Sequence, residues 1–328
     1  MKKSFVLRGV GIAGLAALLI LGITIGDSQA QKFPSRPMTI ICPWGAGGGT
    51  DAVARMLGVL MEKDLGQPVN VVNRTGGSGA VGHTAAATAA PDGYTMCITT
   101  VEITMMHWMG LAQITYKDIR GVALVNIDPA GVNVKIDAPW KNLKELLDYA
   151  KANPGKLKAS GTGKGGIWDL ARAGMLKTAG IPVDAIPWVP SNGAAPGLQE
   201  MLAGGVQVVP CSLPEAYSLI EAKKVKALAV MAEKRAELFP DVPTLKELGI
   251  DWSMGAWRGI TVPKGTPNDV VAVLEKSIAK AVGNDMFKKF MKDKGYGILW
   301  APSAEFDKFM AKEDEIKGKI MKEAGLTK

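Results

Sequence analysis

The sequence predicts an α/β fold with mostly parallel sheets, divided into two lobes. Short apolar segments rich in β-branched residues alternate with amphipathic segments of helical period along most of the chain. This alternation is typical of βαβ units, in which helices cover both faces of a largely parallel sheet. The chain has 328 residues, and single hydrophobic cores rarely grow beyond about 250–300 residues. Two lobes are therefore expected rather than one.

Seven segments are predicted to be strands, and helices are predicted between them. The strands are residues 38–42, 69–72, 94–99, 119–125, 156–160, 206–209 and 226–231. Residues 52–65 keep one apolar face until Gly66, and residues 142–152 repeat that pattern, so both are predicted to be helical. The stretch 269–322 is predicted to be mostly helical and to pack against the first lobe.

The first thirty residues are predicted to be a cleaved signal peptide. Lys2, Lys3 and Arg8 give a positively charged start, and an apolar stretch follows over residues 10–25. The segment ending at Ala30 has the small residues of a cleavage site. The apolar stretch is shorter than the ~20 residues needed to span a bilayer; an uncleaved anchor is the alternative. The mature chain is expected to be exported.

Composition argues against several classes of function. The formal net charge is +8, but the basic residues are spread thinly or lie in short clusters typical of solvated helix faces, so nucleic-acid binding has little support. Cys42, Cys97 and Cys211 have no paired spacing and are predicted to be buried free thiols. His83 and His107 lack a matching cysteine or acidic cluster, so no metal site is expected.

Three glycine-rich loops, at residues 45–50, 75–79 and 161–166, follow predicted strands. Ligands of α/β sheets bind beyond the carboxyl ends of the strands. The first loop leads into Asp51, expected to be a charge of the first helical turn, and into the helix that follows. Glycines and a helix N-terminus together present main-chain N–H groups and a positive dipole end to an anion. The expected ligand is a small acid.

The glycine-rich loops give little support for an enzyme. Residues 77–82 and 161–166 both fit G-x-G-x-x-G, with Glu102 and Asp184 as candidate ribose acids, but 39 glycines make chance matches common. The first loop lacks the Lys-Ser/Thr pair of a P-loop, and no G-x-S-x-G elbow is present. No enzymatic activity and no cofactor are expected.

Two sets of side chains leave a choice between packing and binding. Tryptophans beside predicted loops could pack in the core or line a ligand body. They are Trp44, Trp168, Trp188 and Trp257. Lys164 lies within a glycine loop, where it could pair with a ligand carboxylate or be an ordinary solvated lysine.

The chain resembles the extracytoplasmic solute receptors of the tripartite tricarboxylate transporter, also called the Bug family. The resemblance covers nearly all of the expected mature chain and rests on seven motifs in the same order. They are Pro43-Trp-Gly-Ala-Gly-Gly-Gly-Thr-Asp51, Val71-Val-Asn-Arg-Thr-Gly-Gly-Ser-Gly-Ala-Val-Gly82, Pro91-Asp-Gly-Tyr-Thr95, Gly161-Thr-Gly-Lys-Gly-Gly-Ile-Trp-Asp-Leu-Ala171, Gly193-Ala-Ala-Pro196 with Leu202-Ala-Gly-Gly205, Phe239-Pro-Asp-Val-Pro-Thr-Leu-Lys-Glu-Leu-Gly249, and Trp257-Arg-Gly with Pro263-Lys-Gly-Thr-Pro267.

The resemblance implies a two-lobed periplasmic binding protein of the Venus flytrap, type II-like class. Lobe 1 would comprise residues 31–130 and 258–328, and lobe 2 residues 131–257, with hinges near 130 and 257. The receptor would be a periplasmic monomer that captures a small organic carboxylate between the lobes and delivers it to the membrane permease subunits. Two other readings stay open: a sensor that presents its ligand to a membrane kinase, and an exported enzyme acting on a phosphorylated substrate.

The resemblance also implies a ligand site, in which main-chain groups of the first loop hold a carboxylate and the second lobe closes over it. The expected site consists of Trp44, Ala46, Gly47, Gly48, Gly49, Thr50, Gly77, Ser78, Thr100, Gly161, Thr162, Gly163, Lys164, Gly165, Gly166, Asn192 and Cys211. Departures from the family pattern at Lys164, Asp169, residues 189–194 and Cys211 argue against citrate or amino-acid specificity. A dicarboxylate or an aromatic carboxylate is expected instead.

Overall fold

The computed structural model describes residues 33–327. The predicted signal peptide lies outside the described residues. The segment from Phe33 onward forms one compact unit. Its strands are β1 (Met38–Cys42), β2 (Val69–Asn73), β3 (Thr95–Thr100), β4 (Ile119–Pro129), β5 (Gly131–Lys135), β6 (Val225–Val230), β7 (Gly255–Pro263) and β8 (Ile298–Pro302).

The helices alternate with these strands, which confirms the α/β class. They are α1 (Gly49–Leu65), α2 (Ala80–Ala87), α3 (Leu143–Ala152), α4 (Ile167–Thr178), α5 (Ala194–Ala203), α6 (Leu213–Glu221), α7 (Asn268–Gly283), α8 (Asp285–Lys294) and α9 (Ser303–Glu323). In the described range, 33–327, none of the helices is both long and apolar enough to cross a bilayer.

The larger sheet has six strands in the order β2-β1-β3-β7-β4-β8. Strands β1, β2 and β3 pair in parallel, whereas β7 runs antiparallel to both β3 and β4, and β8 runs antiparallel to β4. Four of the six strands therefore point in one direction, as expected for a mostly parallel sheet. The carboxyl ends of β1 and β3 lie at the same edge, and the glycine-rich loop before α1 leaves the sheet there.

The smaller sheet pairs β5 with β6 in antiparallel fashion. The chain leaves the six-stranded sheet between β4 and β5 and returns to it at β7, where Gly255 pairs with Pro129. The backbone N–H of Ala130 donates to the carbonyl of Met254 at 2.8 Å. Residues 131–254 therefore form one continuous insertion between β4 and β7, which we call the excursion. The two ends of this insertion lie side by side at the larger sheet.

Two strand predictions are wrong, because the segments 156–160 and 206–209 form isolated bridges rather than regular strands. Ala159 bridges to Val208 and Trp188, and Val209 bridges to Asn133. Gly161, with φ of 147°, turns the chain immediately after the first segment. Strands β5 and β7 lie in segments for which no strand is predicted, and β8 interrupts the stretch 269–322 that is predicted to be mostly helical.

Apolar side chains cover both faces of the larger sheet. On one face, α1 packs over β1, β2 and β3 and α7 packs over β4. Leu57 and Met61 of α1 and Leu274 and Ile278 of α7 are fully buried there. On the other face, Phe306 of α9 contacts the ring of Trp257, with ring centroids 5.5 Å apart and perpendicular planes. The C-terminal helices therefore return to the larger sheet, as the sequence predicts.

Candidate functional site

The first turns of four helices meet at one cavity. These helices are α1, α4, α5 and α6. The lining residues are Trp44, Gly45, Gly48, Gly49, Thr50, Thr100, Glu102, Thr162, Ile167, Trp168, Gly193, Ala194, Glu215, Ala256 and Arg258. The cavity has a volume of about 20 Å³, which accommodates about one water molecule. The site is therefore nearly closed in this conformation.

Helix N-termini make this cavity suited to an anion. The first N–H groups of a helix have no partner within the helix, and the helix dipole places partial positive charge beside them. Gly48, Gly166 and Gly193 are the N-caps of α1, α4 and α5, and none of them supplies a side-chain cap. A negatively charged group between these helix starts would meet several N–H donors at once.

The side chain of Thr162 adds a second indication of a ligand. Thr162 is 2% exposed and lines the cavity. Within residues 33–327, its Oγ1 has no hydrogen-bond partner. Buried polar atoms are nearly always paired, because leaving one unpaired costs about 1–3 kcal/mol. An unpaired hydroxyl on the cavity wall is therefore a candidate ligand contact.

The loops that precede α1 and α4 are built alike. In the first, the N–H of Gly47 donates to Asp51 Oδ2 at 3.0 Å, and Arg55 pairs with the same carboxylate. In the second, the N–H of Gly165 donates to Asp169 Oδ2 at 2.9 Å, and Arg172 pairs with that carboxylate. Gly47 and Gly165 both have positive φ, 79° and 73°. The two loops thus share the same hydrogen-bond pattern and backbone turn.

The aspartates of these loops, Asp51 and Asp169, accept hydrogen bonds from their own loops and helices. Burial raises the pKa of Asp51, but the hydrogen bonds from Arg55, Gly47 and Asn73 lower it by more, so the carboxyl group stays ionised. Its oxygens accept from those donors. Asp51 is therefore a charge of the first helical turn, as the sequence predicts, and Asp169 has the same role in α4.

A carboxylate of the chain itself occupies the start of α4. Glu102 follows β3 and is 1% exposed. Its Oε1 accepts the N–H of Ile167, the first residue of α4, at 3.1 Å, and its Oε2 accepts from Thr100 Oγ1. Thr100 Oγ1 in turn accepts from Trp44 Nε1 at 3.1 Å. Burial raises the pKa of Glu102, and these hydrogen bonds partly oppose the rise.

Arg258 forms the charged wall of the cavity. Its Nε donates to Thr50 Oγ1 at 2.9 Å, and its Nη2 donates to Glu215 Oε1 at 3.1 Å. Its Nη1 donates to Asn126 and Asp128. Burial lowers the pKa of Arg258, but the carboxylates of Asp128 and Glu215 raise it by more. A guanidinium has five N–H donors; the hydrogen bonds within the described part of the chain use four of them, which leaves one on Nη2.

His83 holds the end of β3 in place. Its Nε2 accepts the backbone N–H of Thr100 at 3.2 Å, which requires that nitrogen to be unprotonated. Its Nδ1 then donates to the carbonyl of Gly79 at 2.8 Å. Burial lowers the pKa of His83 to about 4. The neutral ring therefore joins the second glycine-rich loop to the strand that carries Thr100 and Glu102.

The neutral state of His83 predicts a loss of stability in acid. Its pKa is about 4 when folded, below the ordinary histidine value of 6.5, so between these pH values only the unfolded chain binds a proton there. The free energy of unfolding should fall by up to about 3 kcal/mol from this cause as the pH drops from 7 to 4. Raised pKa values of Glu102, Glu215 and Asp128 act in the opposite direction.

Comparison with His83→Gln isolates the contribution of the histidine. Urea unfolding of both proteins at several pH values gives the difference between their free energies of unfolding. That difference should shrink toward pH 4, because only the wild-type chain loses stability through this group. A difference independent of pH would mean that the folded protein binds the proton as readily as the unfolded chain does.

Several contacts join the excursion 131–254 to the larger sheet across the cavity mouth. Ser78 Oγ donates to the carbonyl of Lys164 at 2.9 Å, and the N–H of Gly45 donates to the carbonyl of Asn192 at 2.8 Å. A Cβ at Gly163 would lie 2.2 Å from Ser78 Oγ, so only glycine permits this approach. These contacts cover the site in the present conformation.

The expected site residues fall into three groups. Those on the cavity wall are Trp44, Gly48, Gly49, Thr50, Thr100 and Thr162. Those at an outer depression beside the loop contacts are Gly77, Ser78, Gly163, Lys164 and Asn192. Those on neither surface are Ala46, Gly47, Gly161, Gly165, Gly166 and Cys211. Eleven of the expected residues thus lie on one of these two surfaces, and the other six, four of them glycines, lie on neither.

Three charged residues of the cavity wall are not part of the ligand site that the resemblance implies, and the sequence indicates Glu102 only as a candidate ribose acid. Glu102 lies just beyond the carboxyl end of β3, a position that the general rule for α/β sheets could have singled out. Glu215 follows Ser212 by three residues, a spacing that indicates a capping box. Ser212 is the N-cap of α6 but makes no side-chain cap, and its Oγ instead donates to Glu215 Oε2 at 3.3 Å. Arg258 lies within β7, where a charge in an otherwise apolar strand is the available signal.

The four tryptophans and three cysteines divide between site and core. Trp44 and Trp168 line the cavity. Trp188 Nε1 donates to the carbonyl of Thr162, and Trp257 Nε1 donates to Glu313 of α9. The prediction of buried free thiols is confirmed for all three cysteines. Within residues 33–327, no group of three or more histidine, cysteine, aspartate or glutamate side chains could hold a metal ion.

The fold is that of a solute-binding protein of the periplasmic type. The model of the tripartite tricarboxylate transporter family receptor matches residues 53–326. The chain therefore belongs to that family, as its motifs predict. The family and its structural relatives are solute-binding proteins rather than enzymes.

Three solved structures share the fold over nearly their whole length. The periplasmic binding protein BugD is 30% identical, with a TM-score of 0.85 over 90% of this chain and 99% of BugD. Rpa4515 of R. palustris, solved with adipate, is 26% identical, with a TM-score of 0.85 over 90% and 99% of the two chains. MatC of Rhodopseudomonas palustris, solved with malate, is 28% identical, with a TM-score of 0.82 over 88% and 99%.

Proposed function

We propose that the protein is a periplasmic receptor that captures a small organic carboxylate in this cavity and delivers it to the membrane subunits of a tripartite tricarboxylate-type transporter. The observation that carries the proposal is the meeting of helix N-termini at a cavity with an unpaired buried hydroxyl, that of Thr162. Relatives solved with malate and adipate support a carboxylate as the ligand class.

The carboxylate would bind between the starts of α1 and α5. Main-chain N–H groups at Gly49, Thr50 and Ala194 would donate to its oxygens, with Thr162 Oγ1 and the remaining N–H of Arg258 as further donors. Hydrogen bonds to an ionised acceptor are roughly twice as strong as neutral ones, and a water-poor cavity screens them less. Capture and release would require no covalent chemistry.

Entry would require the excursion 131–254 to move away from the larger sheet, since the closed cavity accommodates about one water molecule. The proposed hinges lie near Ala130 and at residues 254–257, where the chain leaves and rejoins β4 and β7. Opening would break the contacts of Ser78 with Lys164 and of Gly45 with Asn192. A ligand that contacts both sides would favour the closed state.

Isothermal titration calorimetry tests the proposal. The chain from residue 31 is unfolded and refolded to remove retained ligand, then titrated with acetate, hexanoate, benzoate, malate and adipate. At least one acid should bind, and its primary amide should bind at least tenfold more weakly. A folded protein that binds none of the acids would contradict the proposal.

Thr162→Val should weaken binding of the strongest acid by about 10- to 100-fold, because a hydrogen bond to a charged group contributes about 1.5–3 kcal/mol. Stability should not fall, since the hydroxyl has no partner among the described residues. Calorimetry and thermal unfolding give both values. Thr104→Val is the matched control, because Thr104 Oγ1 is buried and donates to Val101; it should lose stability and keep affinity.

Lys164→Ala should leave affinity unchanged within about twofold. The side chain of Lys164 is exposed, and the residue lies at the outer depression rather than on the cavity wall; an exposed ion pair contributes at most about 1 kcal/mol. Calorimetry with the same acid checks this. A tenfold loss would mean that the lysine reaches the ligand when the cavity opens and closes again.

A further inference from the structure

At the start of α4, a carboxylate of the chain itself, that of Glu102, accepts a hydrogen bond from the first helical N–H group. The geometry of the α4 loop repeats that of the α1 loop, with a glycine N-cap, a positive-φ glycine and an Asp–Arg pair. Glu102, 65 residues earlier in the chain, places its Oε1 3.1 Å from the N–H of Ile167. One of the two similar helix starts is thus already bound to a carboxylate.

The Glu102 side chain is fixed in that position. It is 1% exposed, and each oxygen accepts a hydrogen bond, one from Ile167 and one from Thr100. Thr100 is itself held by Trp44 Nε1 and, through its backbone, by His83. Moving the carboxylate away would leave these buried donors unpaired, at about 1–3 kcal/mol each.

Among residues 33–327, no carboxylate accepts a hydrogen bond from the first N–H groups of α1 in this way. The nearby acid is Glu215, whose Oε1 would lie 2.9 Å from a Cβ added at Gly49. Arg258 and Ser212 donate to the two oxygens of Glu215, so this carboxylate is held by other groups. Of the two similar sites, the one at α1 therefore retains N–H groups for a ligand.

From this arrangement we infer that Glu102 takes the place of a second ligand carboxylate, so the receptor selects acids with a single carboxylate group and an uncharged body. A dianion would place its second charge beside Glu102 and Glu215, while Arg258 is already bonded to Glu215 and Asp128. Like charges at close range repel strongly where water is excluded. The inference rests on the proposed function and deepens it.

The remaining cavity wall agrees with an uncharged ligand body. Trp168, Ile167 and Ala256 line the cavity on the side of α4 and β7, and all three are less than 5% exposed. Apolar and aromatic walls of this kind bind the body of a ligand, while a few polar groups fix its orientation. An aromatic or short aliphatic monocarboxylate meets both requirements.

Calorimetry with two matched pairs tests the inference: hexanoate against adipate, and benzoate against terephthalate. Each pair shares a carbon skeleton and differs in one carboxylate. The wild-type protein should bind the monocarboxylate at least tenfold more tightly in the pair that fits the cavity. Glu102→Gln, which keeps the size of the side chain and removes its charge, should reduce that ratio at least tenfold.

Asp92→Asn is the matched control, because it makes the same change of charge at an exposed ion pair with Arg36; it should leave the ratio unchanged. Two results would overturn the inference: equal or tighter binding of the dicarboxylate by the wild-type protein, or an unchanged ratio of affinities in folded Glu102→Gln. Both results would still agree with the proposed carboxylate receptor. Failure of every mono- and dicarboxylate to bind the wild-type protein would instead overturn the proposed function, and this inference with it. The ratio of monocarboxylate to dicarboxylate affinity in the wild-type protein tests the inference even if Glu102→Gln does not fold.

Discussion

Arg258→Met is expected to lower the free energy of unfolding by about 3–5 kcal/mol, because removing one member of a buried ion cluster leaves the other charges unpaired. The side chains of Asp128 and Glu215 are at most 6% exposed and both bond to this guanidinium. Urea unfolding at pH 7 measures the loss. Ligand binding should also disappear, since Arg258 holds Thr50 and Glu215 against the cavity.

Arg120→Met is the control for this substitution. Arg120 lies in β4, next to β7, and its Nη1 donates to two uncharged acceptors, Asn268 Oδ1 and the carbonyl of Thr266. Its removal should cost about 1 kcal/mol or less, because no buried charge is left behind. If the two substitutions cost the same, the charges around Arg258 would not be what stabilises this part of the fold.

Gly48→Val is expected to weaken carboxylate binding by more than about 100-fold while the protein stays folded. Gly48 has φ of −80° and ψ of 172°, which valine adopts without strain. An added Cβ would have only the carbonyl oxygen of Gly45 nearby, at 3.4 Å. The branched side chain would instead fill space beside the first N–H groups of α1, where the carboxylate is proposed to bind.

Calorimetry with the strongest acid and thermal unfolding of the same sample check both halves of this prediction. Gly283→Val, at the end of α7, is the control, because a Cβ there meets no atom of residues 33–327 within 4 Å beyond its own helix and chain neighbours. That variant should keep its affinity. Wild-type affinity in folded Gly48→Val would mean that the anion binds elsewhere on the protein.

The parts of the fold that local pattern determines could be predicted from the sequence. Strand β1 and the helix that begins beyond Gly48 follow from an apolar segment, a glycine turn and helical period, and α3 follows from the cap at Asn142, whose side chain accepts the N–H of Glu145. Strand β7 could not be predicted in this way. Arg258 and Gly259 interrupt its apolar pattern, and only the partners that surround the guanidinium in the folded chain make a buried arginine stable there.

The candidate site divides in the same way. The loop before α1 carries its own signal, because a run of glycines before a helix describes an anion-binding turn. The contribution of Glu102 depends on tertiary structure, since the residue it caps, Ile167, is 65 positions away. The unpaired hydroxyl of Thr162 is likewise visible only when every potential partner has a position.

A crystal structure of the complex with the strongest-binding acid would show where the carboxylate lies. We expect its oxygens within about 3 Å of the N–H groups of Gly49 or Thr50, with Thr162 Oγ1 as a further donor and Glu102 still bonded to Ile167. The proposed binding site would be contradicted by an acid bound outside this cavity, such as in the groove lined by Lys234, Lys288 and Lys292, with the α1 N-terminus unchanged.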